Sequence, residues 1–225
     1  MSLPGFFEGT GMPDPGWWEA LWPDPAKVLS ELGIRPGMDV VDLCCGDGWF
    51  TLPLARLVRT VRAIDIDGAL LRAAKVRVAE RGGAANCAFV EADAYDIGKV
   101  APGAVDHVFL ANVFHGVPDK PRLASAVRGV LKPGGAFSIV SWHARPREET
   151  PVLGEPRGPA TELRMTPEQT IAAVEPRPPV AQGSSGAPWL MLAIGGVVAS
   201  AGGAAFVLLR NRRAPQQACR CRARR

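Results

Sequence analysis

Residues 40–48 read VVDLCCGDG and residues 61–67 read VRAIDID. The first stretch is an apolar run closed by Asp42, then a turn holding Gly46 and Gly48, then a segment of helical periodicity from Phe50. A buried strand that feeds a glycine turn and a helix lets main-chain amides approach a ligand closely. Glycine has no Cβ, and the first N–H groups of a helix have no partner within it. The second stretch has the same form, a strand ended by Asp65 and a helix opening at Gly68, with Asp67 placed to cap it. One glycine turn after a strand decides little, because many nucleotide-binding folds have one. Its repetition along the chain decides the fold class.

Downstream of these stretches the alternation continues. Short apolar strands are predicted at residues 88–91, 106–112 and 136–142, with helices at 68–81, 121–131 and 166–175. Upstream, residues 26–32 read as a helix stopped by Gly33. Strands too apolar to face water, separated by helices, predict a mostly parallel, doubly wound sheet in a three-layer α/β sandwich. Residues 1–25 are rich in Gly, Pro and Trp and form an N-terminal aromatic cap. Trp17, Trp18 and Trp22 there either cover one end of the core or form a lid over a substrate pocket.

Charge and cysteine usage exclude some functions. The net charge of +4 is concentrated at the C-terminus, where residues 210–225 hold seven arginines and no acid. The other 209 residues carry 19 basic and 22 acidic side chains, so no basic surface suited to nucleic acid is expected. The five cysteines show neither a disulfide framework nor zinc spacing. No metal site is expected, and a reduced, cytoplasmic setting is. The N-terminus lacks the basic and apolar regions of a signal peptide.

Taken in order, the motifs resemble those of class I S-adenosylmethionine (SAM)-dependent methyltransferases, of the small-molecule type 11 kind, over about residues 35–143. The resemblance implies that Asp42 lies near the methionine end of SAM. Cys44, Gly46 and Gly48 then form the cofactor loop, and Asp65 with Ile66 meets the ribose. Asp93 and Ala94, from FVEADA at residues 89–94, meet the adenine. Residues 111–115, ANVFH, resemble the motif lining the methyl-transfer face, with Asn112 on the cofactor side; residues 131–135, LKPGG, resemble the turn before the fifth strand. The implied reaction is methyl transfer from SAM to a small-molecule acceptor. Cys44 stands where the family has its first loop glycine, a substitution that costs energy if the position needs positive φ. His115 and His143 follow the fourth and fifth strands and are candidate catalytic bases, with a hydrogen-bonded structural role as the alternative for each. His107, inside a strand, reads as structural.

Two rival readings are a catalytically inactive SAM-binding or membrane-tethered interaction protein, and an NAD(P)-dependent oxidoreductase. The latter would want GxGxxG where this chain has CxGxG followed by Trp49.

The C-terminus departs from the family pattern. The methyltransferase domain is expected to end near residue 176, followed by a flexible linker at 177–188 and an Arg-rich tail at 210–225. Residues 189–209 form 21 residues without a charge, with Trp189 at one end and Arg210, Arg212 and Arg213 at the other. That length and flanking predict a single membrane-spanning helix anchoring a cytoplasmic catalytic domain. Gly195, Ala199 and Gly203 would supply its small-residue face. A buried helix or hairpin of the globular domain is the alternative. With a helix there, the strand hairpin that usually closes the family's sheet is missing and the fifth strand becomes an open edge.

Overall fold

The computed structural model describes residues 15–101, 103–175, 190–192 and 204–210. Its centre is a seven-stranded sheet of β1 (Asp39–Leu43), β2 (Thr60–Asp65), β3 (Cys87–Glu91), β4 (Val105–Ala111), β5 (Leu131–Trp142), β8 (Leu190–Leu192) and β9 (Ala204–Arg210). The spatial order is β3-β2-β1-β4-β5-β9-β8, and β1 to β5 are all parallel. Two-residue strands β6 (Pro151–Val152) and β7 (Glu155–Pro156) form a separate small hairpin in the segment after β5.

Helices cover both faces, as the apolar strands require. On one face α1 (Pro15–Leu21), α2 (Pro25–Glu31), α3 (Thr51–Leu57) and α4 (Gly68–Glu80) pack with Val40, Val61, Phe109 and Val140. On the other, α5 (Ile97–Val100), α6 (Lys120–Val130) and α7 (Pro167–Val174) pack with Val41, Leu43, Val108 and Leu110. Neighbours along one strand thus serve opposite cores, the period-2 alternation of a sheet buried on both sides. Caps fix the helix starts. Asp67 accepts from the amides of Ala69 and Leu70, the capping role expected of it, and Thr166 with Gln169 closes a capping box on α7. Trp18 and Trp22 are buried against the core, while Trp17 is half-buried and stacks on Trp142 with ring centres 6.2 Å apart.

The C-terminal expectation is corrected. Within residues 189–209 the described segments are strands, not helix: β9 pairs antiparallel with β5 from Ala136↔Arg210 to Trp142↔Ala204, and β8 pairs with β9. The closing hairpin is therefore present and β5 is not an edge. Val207, Leu208 and Leu209 are buried, and Arg210 belongs to the sheet rather than to a tail. The physical reason is that the open hydrogen-bonding edge of β5 needs a partner, and a strand covered on both faces is as free of charge as a membrane helix. Among the described residues no helix is long and apolar enough to cross a membrane. The expected linker, residues 1–14, Gly195, Ala199, Gly203 and the arginines beyond Arg210 lie outside the described residues.

The strand order reverses between β1 and β4, whose neighbours β2 and β5 are reached by connections running in opposite directions. A doubly wound sheet opens a crevice at the carboxyl ends of the strands at this point.

Candidate cofactor site

The residues at that crevice come from the ends of β1, β2, β3 and β4. Asp42, on β1, is 2% exposed and accepts a 2.6 Å hydrogen bond from the Thr51 hydroxyl at the start of α3. Burial, and the nearby charge of Asp65, push its carboxyl up to about 7, although the Thr51 bond works in the opposite direction. Asp65, at the end of β2, is also buried, and burial raises its pKa despite hydrogen bonds that favour its charged form. Its Oδ2 accepts from the Gly46 amide at 2.8 Å and its Oδ1 from the Asp67 amide at 2.9 Å. Each carboxylate oxygen has two lone pairs, so both remain able to accept from a ligand. Asp93 follows β3 and caps the next turn through the Tyr95 amide at 2.8 Å. Ile66, Asp93 and Ala94 are half-buried along the same edge.

Between these acids runs the loop after β1. Cys44 has φ +56°, Gly46 +54° and Gly48 +83°. The position that favours glycine is thus held by Cys44 in the left-handed region, which costs an L-residue roughly 1–2 kcal/mol. Burial and the surrounding charges of Asp65, Asp42 and Asp93 push the Cys44 thiol far up. The three acids thus converge electrostatically on one loop residue. Gly48 is required by packing: a Cβ there would lie 2.9 Å from the Cα and Cβ of Ala74 on α4.

On the other side of the crevice, Asn112 directly follows β4 with φ +60°, and its amide donates to the Val140 carbonyl at 2.8 Å. Its side-chain carbonyl is buried and accepts no hydrogen bond among the described residues. A non-glycine residue in this conformation with an unanswered acceptor is a pointer to a site. His115 lies in the turn after β4, 8% exposed; burial, then Lys120 and Arg164, lower its pKa to about 4. His143 follows β5 directly, half-buried, with Nδ1 unpartnered. His107 pairs with Ser138 at 2.6 Å inside the sheet, the structural role expected of it. Among the described residues no group of acids, cysteines and histidines is arranged to hold a metal ion.

Sequence reasoning missed Thr51 beneath Asp42, and also Arg77, which grips Asp47 from α4. It also missed Arg164, a buried guanidinium that donates to the Pro159, Arg145 and Arg157 carbonyls and to Thr150, tying down the segment after β5. Nothing in their local sequence marks these side chains, whose partners are brought to them by the fold.

The architecture is a Rossmann-like methyltransferase fold, and the comparisons agree with it. Residues 41–139 match the family model described as a methyltransferase domain. An uncharacterized methyltransferase of Synechocystis is 34% identical over 117 residues, covering 51% of this chain and 52% of the relative. The 2-phytyl-1,4-naphtoquinone methyltransferase of Nostoc is 31% identical over 132 residues, covering 57% of this chain and 56% of the relative. The chain thus spans about half the length of these curated relatives. In overall fold it matches the crystal structure of a SAM-dependent methyltransferase from Aquifex aeolicus, with a TM-score of 0.64, 21% identity, and coverage of 88% of this chain and 94% of that one. By family model, relatives and fold, the central domain is similar to the class I SAM-dependent methyltransferases. That similarity implies SAM as the cofactor.

Proposed function

We propose that the protein binds SAM at the carboxyl ends of β1 to β4 and transfers its methyl group to a small-molecule acceptor, releasing S-adenosylhomocysteine. One observation carries the reading: Asp42, Asp65 and Asp93 gather around a glycine loop, and none is ion-paired with a lysine or arginine among the described residues. Acids concentrated without cations suit a ligand that brings its own positive charge and donors. SAM brings a sulfonium, an ammonium, two ribose hydroxyls and an adenine amine, and this donor set fits the acids of the crevice.

In this reading Asp42 faces the methionine end, Asp65 accepts from the ribose, with Ile66 beside it, and Asp93 with Ala94 meets the adenine. Cys44, Gly46 and Gly48 shape the loop, and Asn112 offers its unanswered carbonyl on the transfer face. When bound, SAM supplies a methyl group already activated on its sulfonium, so the chain's main task is to align donor and acceptor. An acceptor that must lose a proton also needs a base. His115 is neutral at pH 7 because its pKa lies near 4, and His143 is the second candidate. The Nostoc relative's name, a naphtoquinone methyltransferase, supports a small-molecule acceptor.

Thermal denaturation tests the cofactor. A ligand that binds only the folded state stabilises it by about 2.7 kcal/mol at a hundred times its dissociation constant. SAM is expected to raise the melting temperature and NAD to leave it unchanged. A rise with NAD and none with SAM would overturn the reading in favour of an oxidoreductase.

A further inference from the structure

The loop that carries Gly46 and Gly48 is held from behind by one helix. Ala74 and Arg77 lie three residues apart on α4, hence on one face of it. Ala74 meets the loop where Gly48 leaves no room for a Cβ. Arg77 meets it through three contacts: its Nε donates to the Asp47 carbonyl at 3.0 Å, its Nη2 pairs with Asp47 Oδ2, and its guanidinium lies 5.4 Å from the centre of the Trp49 ring. The Arg77 and Asp47 side chains are only 17% and 16% exposed. Among the described residues Asp47 Oδ1 is buried and accepts no hydrogen bond, and Arg77 is the one cation paired with this carboxylate. Asp47 and Trp49 flank Gly48, and the same loop contains Cys44 in a left-handed conformation. Such a backbone persists only where its surroundings over-determine it.

We propose that Arg77 is a positioning residue for cofactor binding, a clamp on Asp47 and Trp49 that fixes the loop's amides in the shape that receives SAM. The inference rests on the proposed cofactor site, but the clamp itself can be read without any ligand. A planar fork matters here: lysine keeps the charge but cannot make the two parallel contacts.

The test uses the full chain with Arg77→Ala, Arg77→Lys and the double variant Asp47→Asn/Arg77→Ala. Calorimetric SAM affinity, melting temperature and amide hydrogen exchange of ligand-free protein are measured for each. Arg77→Ala is expected to weaken SAM binding about tenfold and to speed exchange at Gly46, Asp47 and Gly48 while the sheet stays protected. Arg77→Lys is expected to fall between. The double variant removes the stranded carboxylate, so its melting temperature should recover while its SAM affinity stays weak. A merely structural arginine would lower the melting temperature and leave affinity and loop exchange alone, which would overturn the proposal. Wild-type protein that binds no SAM would sink the cofactor reading; loop exchange would then decide the clamp, with unchanged exchange in Arg77→Ala counting against it.

Discussion

At the amino end of the sheet Asp39 sits between Arg59, Thr60 and Lys132, and Asp106 pairs with Lys132 at 2.8 Å. At the carboxyl end, a few residues further along the same strands, Asp42 and Asp65 have only hydroxyl and amide donors. The hydrogen bonds from Arg59 and Thr60 bring the Asp39 carboxyl down to about 2, while burial takes that of Asp42 up to about 7. The residue type and the strand are the same, so the difference lies in what surrounds each acid. The acids at the amino end are answered by the protein's own cations, whereas those at the carboxyl end, the ones proposed to receive the ligand, are not. Charge balance around each carboxylate therefore supports the proposed division between acids of the frame and acids of the site.

The contrast between the two ends of the sheet predicts effects of several sizes. The largest expected effect concerns the frame that presents both ends. A chain ending at Glu175 loses β8 and β9, bares the edge of β5 and removes the buried Val207, Leu208 and Leu209. Fully burying such a side chain is worth roughly 1.5–3 kcal/mol, so the loss approaches the 5–15 kcal/mol that stabilises a typical domain. The truncated chain is expected to lose cooperative unfolding in urea. A well-folded product, whatever its location, would show that the hairpin is not part of the domain.

Next comes Gly48→Ala. Overpacking against Ala74 costs about 1–3 kcal/mol and the left-handed backbone about 1–2 more, so a loss of about 2–5 kcal/mol is expected in denaturant titrations. A neutral result would mean that the loop is not pressed on α4.

The two acids themselves should respond oppositely. Asp42 has a folded pKa raised above its ordinary value, so the stability that its protonation gives is complete below about pH 4 and lost as pH rises through 7. Asp42→Asn should then gain on wild type between pH 5 and pH 8, by ~2–4 kcal/mol at most, while weakening SAM binding. Asp39 has a lowered pKa; its contribution is present above about pH 4 and lost as pH falls through 2. Asp39→Asn should therefore be less stable than wild type at pH 7 and approach it in acid. Parallel pH profiles for the two variants would remove the distinction between the two ends.

Much of this molecule was legible in its sequence. The strands around Val41, Ile64 and Leu110 are apolar runs closed by turn residues, and such runs can only be buried. The glycine turn, Asp65 and the cost of Cys44 were legible too, because positive φ is a local requirement. Residues 189–209 were not read correctly, since an uncharged run looks alike as a membrane helix and as a hairpin buried on both faces. The decisive clue was non-local: β5 had an open edge, and this segment was the apolar material available to close it. Helix α5 and strands β6 and β7 are too short to leave a periodic signal. The Thr51–Asp42 and Arg77–Asp47 pairs join residues that local patterning cannot relate, 9 and 30 positions apart.

The acids at the carboxyl end of the sheet that no cation answers are the ones proposed to receive SAM. Calorimetric titration of SAM into wild type, Asp65→Ala and Asp39→Asn, each first shown to be folded, tests it directly. Hydrogen bonds to a charged group contribute roughly 1.5–3 kcal/mol, so Asp65→Ala is expected to bind SAM about tenfold more weakly or worse, with Asp39→Asn matching wild type. Equal SAM affinity in wild type and Asp65→Ala would contradict the account.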